Sequence, residues 1–427
     1  MLTIGVTIRG IVYEVAGMTI VKDHMELLYR IYTYPARFSV KILDIFFEKL
    51  EDRGVLFDPF AGSGSLALAS YMHCYDSVVW DLNPMIHVFV DAGVKVINKY
   101  SIRRVVELIS KAKKYGKPWI PPGASYWWPE EVLDLISRVW GFFRDNLAVF
   151  KPASREFEPL DDAWSLFAVI ALYASRKLSY TDDSIPKWYK SRLKVEKVSQ
   201  MLSESSVRSL FNYYIDVKAG RLARIQGSIP TPPCNPIVVV KATDAATATD
   251  YPDGVAGVLT SPPYLQAQEY IRSFSWELKL LGVPGSVVSE LRKLEIPYRP
   301  PIDMEVLSDL YHEIVDSISE EKFKALLRSY FTNTLVVLEK ASYRTKVGGI
   351  IGVFAGEATV RGRPVPIARI IGEHLTRKLQ LEELIRSGLE DRIVKRRLFK
   401  GRKNFNPDGI KIEHLVLLRK STSATSS

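Results

Sequence analysis

Cysteine is almost absent: the 427 residues hold Cys74 and Cys234 and no others. Two cysteines cannot build a disulfide framework and lack the spacing of a structural zinc site, so a reducing, cytoplasmic interior is the expected compartment. The six histidines show no paired metal-ligand spacing, and no metal is expected. Long apolar runs are missing as well. No stretch reaches membrane-spanning length without charges, and Arg9 and Glu14 interrupt the apolar residues near the start, which excludes a signal peptide. A soluble chain with no membrane partner follows. No self-similarity at solenoid periods occurs. Acidic residues fall short of basic ones, 48 against 58, leaving a formal charge of +10. That excess suits a polyanionic partner, although a solvated basic surface would give the same number.

What is present is an alternation of strand and helix. The β-branched runs Thr3–Ile8 and Ile11–Val15 read as a short hairpin, and residues 38–50 place apolar side chains at helical spacing. Gly54–Asp58 reads as a buried strand ending on an acid. A loop with Gly62 and Gly64 follows, then a small-residue helix over Ser65–Tyr71, then a second strand, Val78–Asp81, again ending on an acid. Strand, loop, helix, strand is the opening of a doubly wound α/β sheet. Strand signals then stop near residue 82 and resume near 237. Roughly residues 104–236 are rich in helix formers, aromatics and basic residues. Beyond them, Ile237–Val240, Val255–Leu259 and Gly348–Phe354 read as strands, 304–342 as helical, and Ile393–Leu398 with His414–Leu418 as a closing antiparallel pair. The small polar tail, 421–427, is expected to be disordered.

Two strings carry chemistry. In Asp58-Pro59-Phe60-Ala61-Gly62-Ser63-Gly64, glycine lets the backbone turn tightly and approach a ligand at the carboxyl end of a strand. Asp81 ends the next strand, where an acid can accept hydrogen bonds from ribose hydroxyls. The loop lacks the third glycine of a dinucleotide fingerprint and any following Gly-Lys-Ser/Thr, and Asp58 would repel a pyrophosphate. A carboxylate suits a cofactor with an ammonium group, and S-adenosyl-L-methionine has a ribose, an adenine and an ammonium. The second string, Thr260-Ser261-Pro262-Pro263-Tyr264, follows a buried strand. Its prolines stiffen the backbone and donate no N–H. The Ser261 hydroxyl and the Pro262 carbonyl can accept the two hydrogens of a base amino group, and Tyr264 offers an aromatic face.

Together these strings resemble the amino-methyltransferases of DNA, in the cytosine-N4-specific branch found in restriction–modification systems. The first is similar to their cofactor motif and the second, in its serine form, to their catalytic motif. Tyr34-Pro35-Ala36-Arg37-Phe38 resembles the segment that covers the methionine end of the cofactor, and Asp244 falls where the family has an acid near the adenine amino group. The resemblance implies a Rossmann-like S-adenosylmethionine-dependent methyltransferase fold: a mostly parallel seven-stranded sheet with a closing antiparallel strand, plus a mainly helical insertion. Catalysis would rest on Ser261, Pro262, Pro263 and Tyr264. Cofactor binding would rest on Tyr34, Pro35, Phe38, Asp58, Pro59, Phe60, Ala61, Gly62, Ser63, Gly64, Asp81, Leu82 and Asp244. Residues 1–103 and 237–420 would form the two parts of the methyltransferase domain, and 104–236 a target-recognition insertion. That insertion precedes the Asp244 strand instead of falling directly before Ser261, a departure from the family pattern.

The resemblance implies DNA as substrate and a restriction endonuclease as potential companion. Adenine-N6 methylation of DNA, methylation of guanine-N2 or adenine-N6 in tRNA, and a catalytically silent nucleic-acid-binding module stay open. Two basic stretches are the candidate nucleic-acid contacts: Lys187, Trp188, Lys190 and Arg192 in the insertion, and Lys395, Arg396, Arg397, Lys400, Arg402 and Lys403 near the end. Most of the scattered tryptophans read as core. Pro233-Cys234 resembles the catalytic pair of cytosine-C5 methyltransferases, but Cys234 precedes a strand within a Pro- and Thr-rich linker and reads as non-catalytic.

Overall fold

The computed structural model describes residues 24–34, 37–185, 187–265, 269–385, 392–398 and 410–421. The hairpin expected within the first 15 residues, Pro35, Lys400, Arg402, Lys403 and the tail beyond Ser421 lie outside them.

Eight strands form the main sheet: β1 (Leu56–Asp58), β2 (Ser77–Asp81), β3 (Val238–Ala242), β4 (Val255–Thr260), β5 (Thr345–Gly356), β6 (Glu382–Ile385), β7 (Arg392–Leu398) and β8 (Ile410–Arg419). They lie in the order β6-β8-β5-β4-β1-β2-β3, with β7 also on β8. Strands β3, β2, β1, β4 and β5 are mutually parallel. Strand β8 runs against β5, and both β6 and β7 run against β8. β6 pairs with the last residues of β8 and β7 with its first, so they share one lane. The sheet therefore has seven lanes and one strand of reversed direction, the Rossmann-like methyltransferase architecture that the sequence implies. Strand β4 is buried at all six positions, as expected of a parallel strand covered on both faces.

Glycine is required at two positions of the first loop. Gly62 has φ +54° and Gly64 φ +76°, a region that costs other residues about 1 kcal/mol or more. A Cβ on Gly64 would also stand 2.3 Å from Val90 Cγ2. The bare backbone lets helix Met85–Ile97 seat against the start of helix Ser65–Met72.

Residues 104–236 are mainly helical, with one hairpin, Ala148–Lys151 against Glu156–Pro159, that the pattern of apolar residues had not announced. Helix Ile102–Ala112 spans the expected boundary near residue 103. Helix Trp164–Lys177 packs on helix Met85–Ile97, and one continuous apolar core contains Leu66, Phe89, Trp140, Phe167, Phe211 and Trp276. At the far end of this region Glu277, only 3% exposed, takes Arg176 at 2.8 Å and the indole N–H of Trp188 at 2.6 Å. Removing one member of such a buried pair strands the other, at a cost of about 3–5 kcal/mol.

The two cysteines are not free thiols. Cys74 and Cys234, 160 residues apart in sequence, form a disulfide with Cα atoms 5.8 Å apart. The expectation drawn from their number is corrected: one bridge forms, because register brings the chain just before β2 beside the chain just before β3. Ser77 donates its N–H to Ile237 O at 2.9 Å, and Ile237 donates to Asp76 Oδ1 at 2.7 Å. The bridge sits at the amino ends of the strands and removes Cys234 from nucleophilic chemistry. Among the described residues no helix is long and apolar enough to cross a membrane.

Candidate active site

Adjacent parallel strands carry the two motif loops. Register pairs Leu56 with Gly257 and Phe57 with Val258, so β1 and β4 end side by side. There the Thr260 hydroxyl donates to Asp58 Oδ1 at 2.6 Å, and the Phe60 N–H reaches the same oxygen at 3.0 Å. The strand that precedes Ser261 is thus tied to the strand that precedes the glycine loop. A cavity opens above this junction. Pro59, Phe60, Ala61, Gly62 and Ser63 line it from the first loop, and Ser261 and Pro263 from the second. Asp81, Leu82 and Asp244 enter from β2 and β3, and Tyr34 and Phe38 close one side.

Asp81 is the hinge between these walls. Its Oδ2 accepts the Gly62 N–H at 2.8 Å and its Oδ1 the Asn83 N–H at 2.8 Å. Burial pushes its carboxyl up to about 6 despite both donors. Each oxygen keeps a lone pair for a further donor such as a ribose hydroxyl. Asp58 is fully buried and pushed up to about 7, again chiefly by burial. It is not itself in the cavity wall, and its Oδ2 has no hydrogen-bond partner. Asp244 is less available than expected. Arg299 Nη1 sits 2.7 and 2.8 Å from its two oxygens, which also take the Ala246 N–H and the Thr247 hydroxyl.

Tyr34 is positioned by stacking. Its ring lies nearly parallel to Tyr270 (centroids 6.0 Å, 15°) and to Phe274 (5.4 Å, 16°), and a Cβ on Gly62 would meet it at 3.1 Å. Gly64, Pro262 and Tyr264 do not line the cavity. Tyr264 is 6% exposed and donates its hydroxyl to Glu413 of β8 at 2.8 Å. The open aromatic face expected of it is therefore not available in this arrangement.

Ten residues of the wall were not among the expected site residues, and four of these bear a charged, amide or phenol group. Arg37 donates to the carbonyls of Tyr29 and Tyr32, is pushed down to about 10 by burial, and keeps Nε buried without a partner. Its position beside Tyr34 was the available signal. Asn83 holds the Met85 N–H at 3.1 Å, while its Nδ2 is buried and unpartnered. Tyr270 and Glu295 come from the segment after the catalytic loop. The Glu295 carboxyl accepts the Ile271 N–H at 2.9 Å and is pushed up to about 7 by burial.

The sheet order with its one reversed strand is a Rossmann-like α/β fold. No family model matches it. It is 22% identical over 312 residues to a type II methyltransferase, M.BsoBI, of Geobacillus stearothermophilus, an alignment covering 66% of this chain. The chain spans 58% of that relative's length. Two solved structures of the rRNA methyltransferase aviRa from Streptomyces viridochromogenes align over 94% and 92% of the chain and 93% and 89% of theirs. Their TM-scores are 0.29 and 0.26, at 11% and 13% identity.

The cofactor this fold implies is S-adenosylmethionine, and the cavity fits it. Among the described residues Arg37 Nε has no partner and is a donor for a carboxylate, Asn83 Nδ2 has none and is a donor for a ring nitrogen or hydroxyl, and Asp81 is an acceptor beside the glycine loop. Asp81→Ala is expected to raise the cofactor Kd about 10- to 100-fold, because the Gly62 and Asn83 N–H groups lose buried acceptors worth about 1–3 kcal/mol. Turnover should fall by less, which calorimetry and steady-state kinetics together would read.

The nucleic-acid candidates are scattered. Lys187 and Arg192 are exposed. Trp188 is corrected: 7% exposed, it packs against Trp127, Trp128 and Trp276, so its ring cannot stack on a base. Lys190 lies over the rings of Tyr126 and Tyr180. Lys395, Arg396 and Arg397 fall on β7.

Proposed function

We propose that this chain is a DNA methyltransferase that transfers the methyl group of S-adenosylmethionine to the exocyclic N4 of cytosine. One observation supports the reading above the rest: Ser261 shares a cavity with the glycine loop, on neighbouring strand ends. The likeness to a type II methyltransferase supports methyl transfer, and the net positive charge suits a nucleic-acid substrate.

The bound cofactor supplies an electrophilic methyl group on a sulfonium. Arg37 would hold the carboxylate of its amino-acid end and Asp81 the ribose hydroxyls, while Asp58, behind the cavity wall, would favour the ammonium through its charge. The target base has left its stack to enter the cavity. Ser261 Oγ accepts one of its two amino hydrogens, which turns the nitrogen towards a tetrahedral shape and localises its lone pair. Positioning and this acceptor do most of the catalysis. Residues 104–236, with β7 on the opposite flank, supply target recognition.

Cofactor affinity is expected to rise about tenfold between pH 5 and pH 7, as Asp81, raised to about 6 in the folded chain, becomes ionised. Calorimetry in buffers of different ionisation enthalpy would read the accompanying proton release. Affinity constant over this range would mean that the carboxylate does not meet the ligand. Stability of the free protein moves the other way. Asp58 and Asp81 are raised from 3.8, so their contribution is full below about 4 and is lost as pH climbs through 6 to 7.

The function is tested by incubating purified protein and labelled cofactor with duplex DNA and tRNA in parallel, then digesting to nucleosides. Label in N4-methylcytosine is the expected result. Label in N6-methyladenine alone would move the target base, and label in tRNA alone would remove DNA as the substrate.

A further inference from the structure

Two short helices separate the active-site cavity from a second, open one. Helix Tyr270–Ser273 gives Tyr270 and Ile271 to the first and Arg272 to the second. Helix Gly285–Leu294 gives Leu294 to the first and Arg292 to the second. The opposite wall comes from the helical region, through Tyr126, Trp127, Tyr189 and Lys190. A helix is about 10 Å thick, and stacked nucleotides advance about 3.4 Å each, so some three nucleotides bridge the two cavities.

The lining combines open rings with cations. Tyr126 and Tyr189 are 57% and 53% exposed. Lys190 Nζ stands 4.5 Å from the Tyr126 centroid, and Lys279 Nζ 4.6 Å from that of Trp276. Among the described residues neither ammonium meets a carboxylate. Glu269 engages Arg272 at 2.7 Å and Arg292 at 3.8 Å, and Glu277 beneath the floor is spent on Arg176 and Trp188. Four cations therefore face one carboxylate. Burial and the neighbouring Arg292 hold the Lys279 ammonium below its usual range, as crowding of like charge requires. A surplus of positive charge beside solvent-open rings suits a polyanion with flat faces. A nucleic-acid strand has both, with phosphates for the cations and bases for the tyrosines.

We infer that this second cavity binds the nucleotides flanking the target base, with phosphates on Lys190, Lys279 and Arg292 and a neighbouring base on Tyr126 or Tyr189. The inference rests on the proposed nucleic-acid methyltransferase function. It assigns strand capture to the seam between the helical region and the segment after the catalytic loop. Stacking and phosphate contact are tolerant of sequence, so this subsite supplies affinity and placement.

The test uses the full chain and fluorescein-labelled 12-nucleotide DNA, single-stranded and duplex, with anisotropy read over a salt series. The double variant Lys190→Glu/Lys279→Glu should weaken binding at least about tenfold and lower the slope of log affinity against log salt by about 1.5–2. Its DNA KM should rise while the cofactor Kd, read by calorimetry, stays put. That constancy shows that the variant has folded. The milder Lys190→Gln/Lys279→Gln should lose a similar share of the slope. Tyr126→Ala should weaken single-strand binding about fivefold or more. Unchanged affinity and slope in all three variants of a chain that methylates DNA would overturn the inference and leave the proposed function standing. A wild-type chain that transfers no methyl group to any nucleic acid would overturn both. Polyglutamate binding as tightly as DNA of equal charge, and lost in the same variants, would assign the cavity to an acidic protein and overturn the inference.

Discussion

Ser261→Ala is expected to lower kcat about 100- to 1000-fold while the cofactor Kd stays within about threefold of the wild-type value. The hydroxyl belongs to a residue of the cavity wall, and the acceptor role proposed for it operates only when a base amino group is present. An acceptor aimed at charge that develops during transfer is worth about 3–4 kcal/mol, the scale seen when one preorganised group is removed from a reacting centre. Thr260, next in the chain, is different. Its hydroxyl is spent on Asp58 at 2.6 Å, so Thr260→Val should disturb cofactor binding and turnover together. Single-turnover methyl transfer, with cofactor affinity measured separately, divides the two residues. Equal losses in Ser261→Ala and Asp81→Ala on both axes would mean that the division of roles is wrong.

Reduction of the Cys74–Cys234 bridge is expected to cost about 5 kcal/mol of stability. The bridge closes a loop of 160 residues, and constraint of the unfolded chain grows with loop length. For a chain of this size that is a fall in Tm of about 5 °C. The bridge lies at the amino ends of β2 and β3, whereas the site lies at the carboxyl ends. Cofactor affinity at a temperature well below the transition should therefore be unchanged by reduction. Calorimetric melting with and without a phosphine reductant, compared with Cys74→Ser/Cys234→Ser, reads both effects. An unchanged melting temperature would show that the bridge does not constrain the unfolded chain and would overturn the prediction.

The parts of this molecule that were legible in its sequence are those written contiguously. Asp58–Gly64 and Thr260–Tyr264 each sit directly after an apolar strand, and their strings name their own surroundings: an acid, a turn, small residues, stiff prolines. The strand–helix alternation, interrupted by one long helical stretch, was legible as a doubly wound sheet with an insertion. What was not legible depends on distant partners. Glu295 and Tyr270 reach the cavity because two short helices fold back across it, and no local pattern reports that. Asp244 reads as an open acid until Arg299, 55 residues away, is placed against it. Trp188 lies among lysines, a composition equally suited to an exposed platform and to a buried indole. Only the Glu277 carboxylate, 89 residues away, decides between them. The cysteine pair has the same character: its closure is a product of sheet register.

The continuous apolar core also bears on how new specificities can be obtained from this scaffold. A target-reading segment that hangs from a catalytic body by two linkers can be exchanged as a cassette. Here Trp128, Trp140 and Phe167 share one apolar core with Phe89 and Trp276. A chimera that imports residues 104–236 from a homologue would have to repack that shared core. Point changes at exposed positions of this region would disturb that core less than transplantation would.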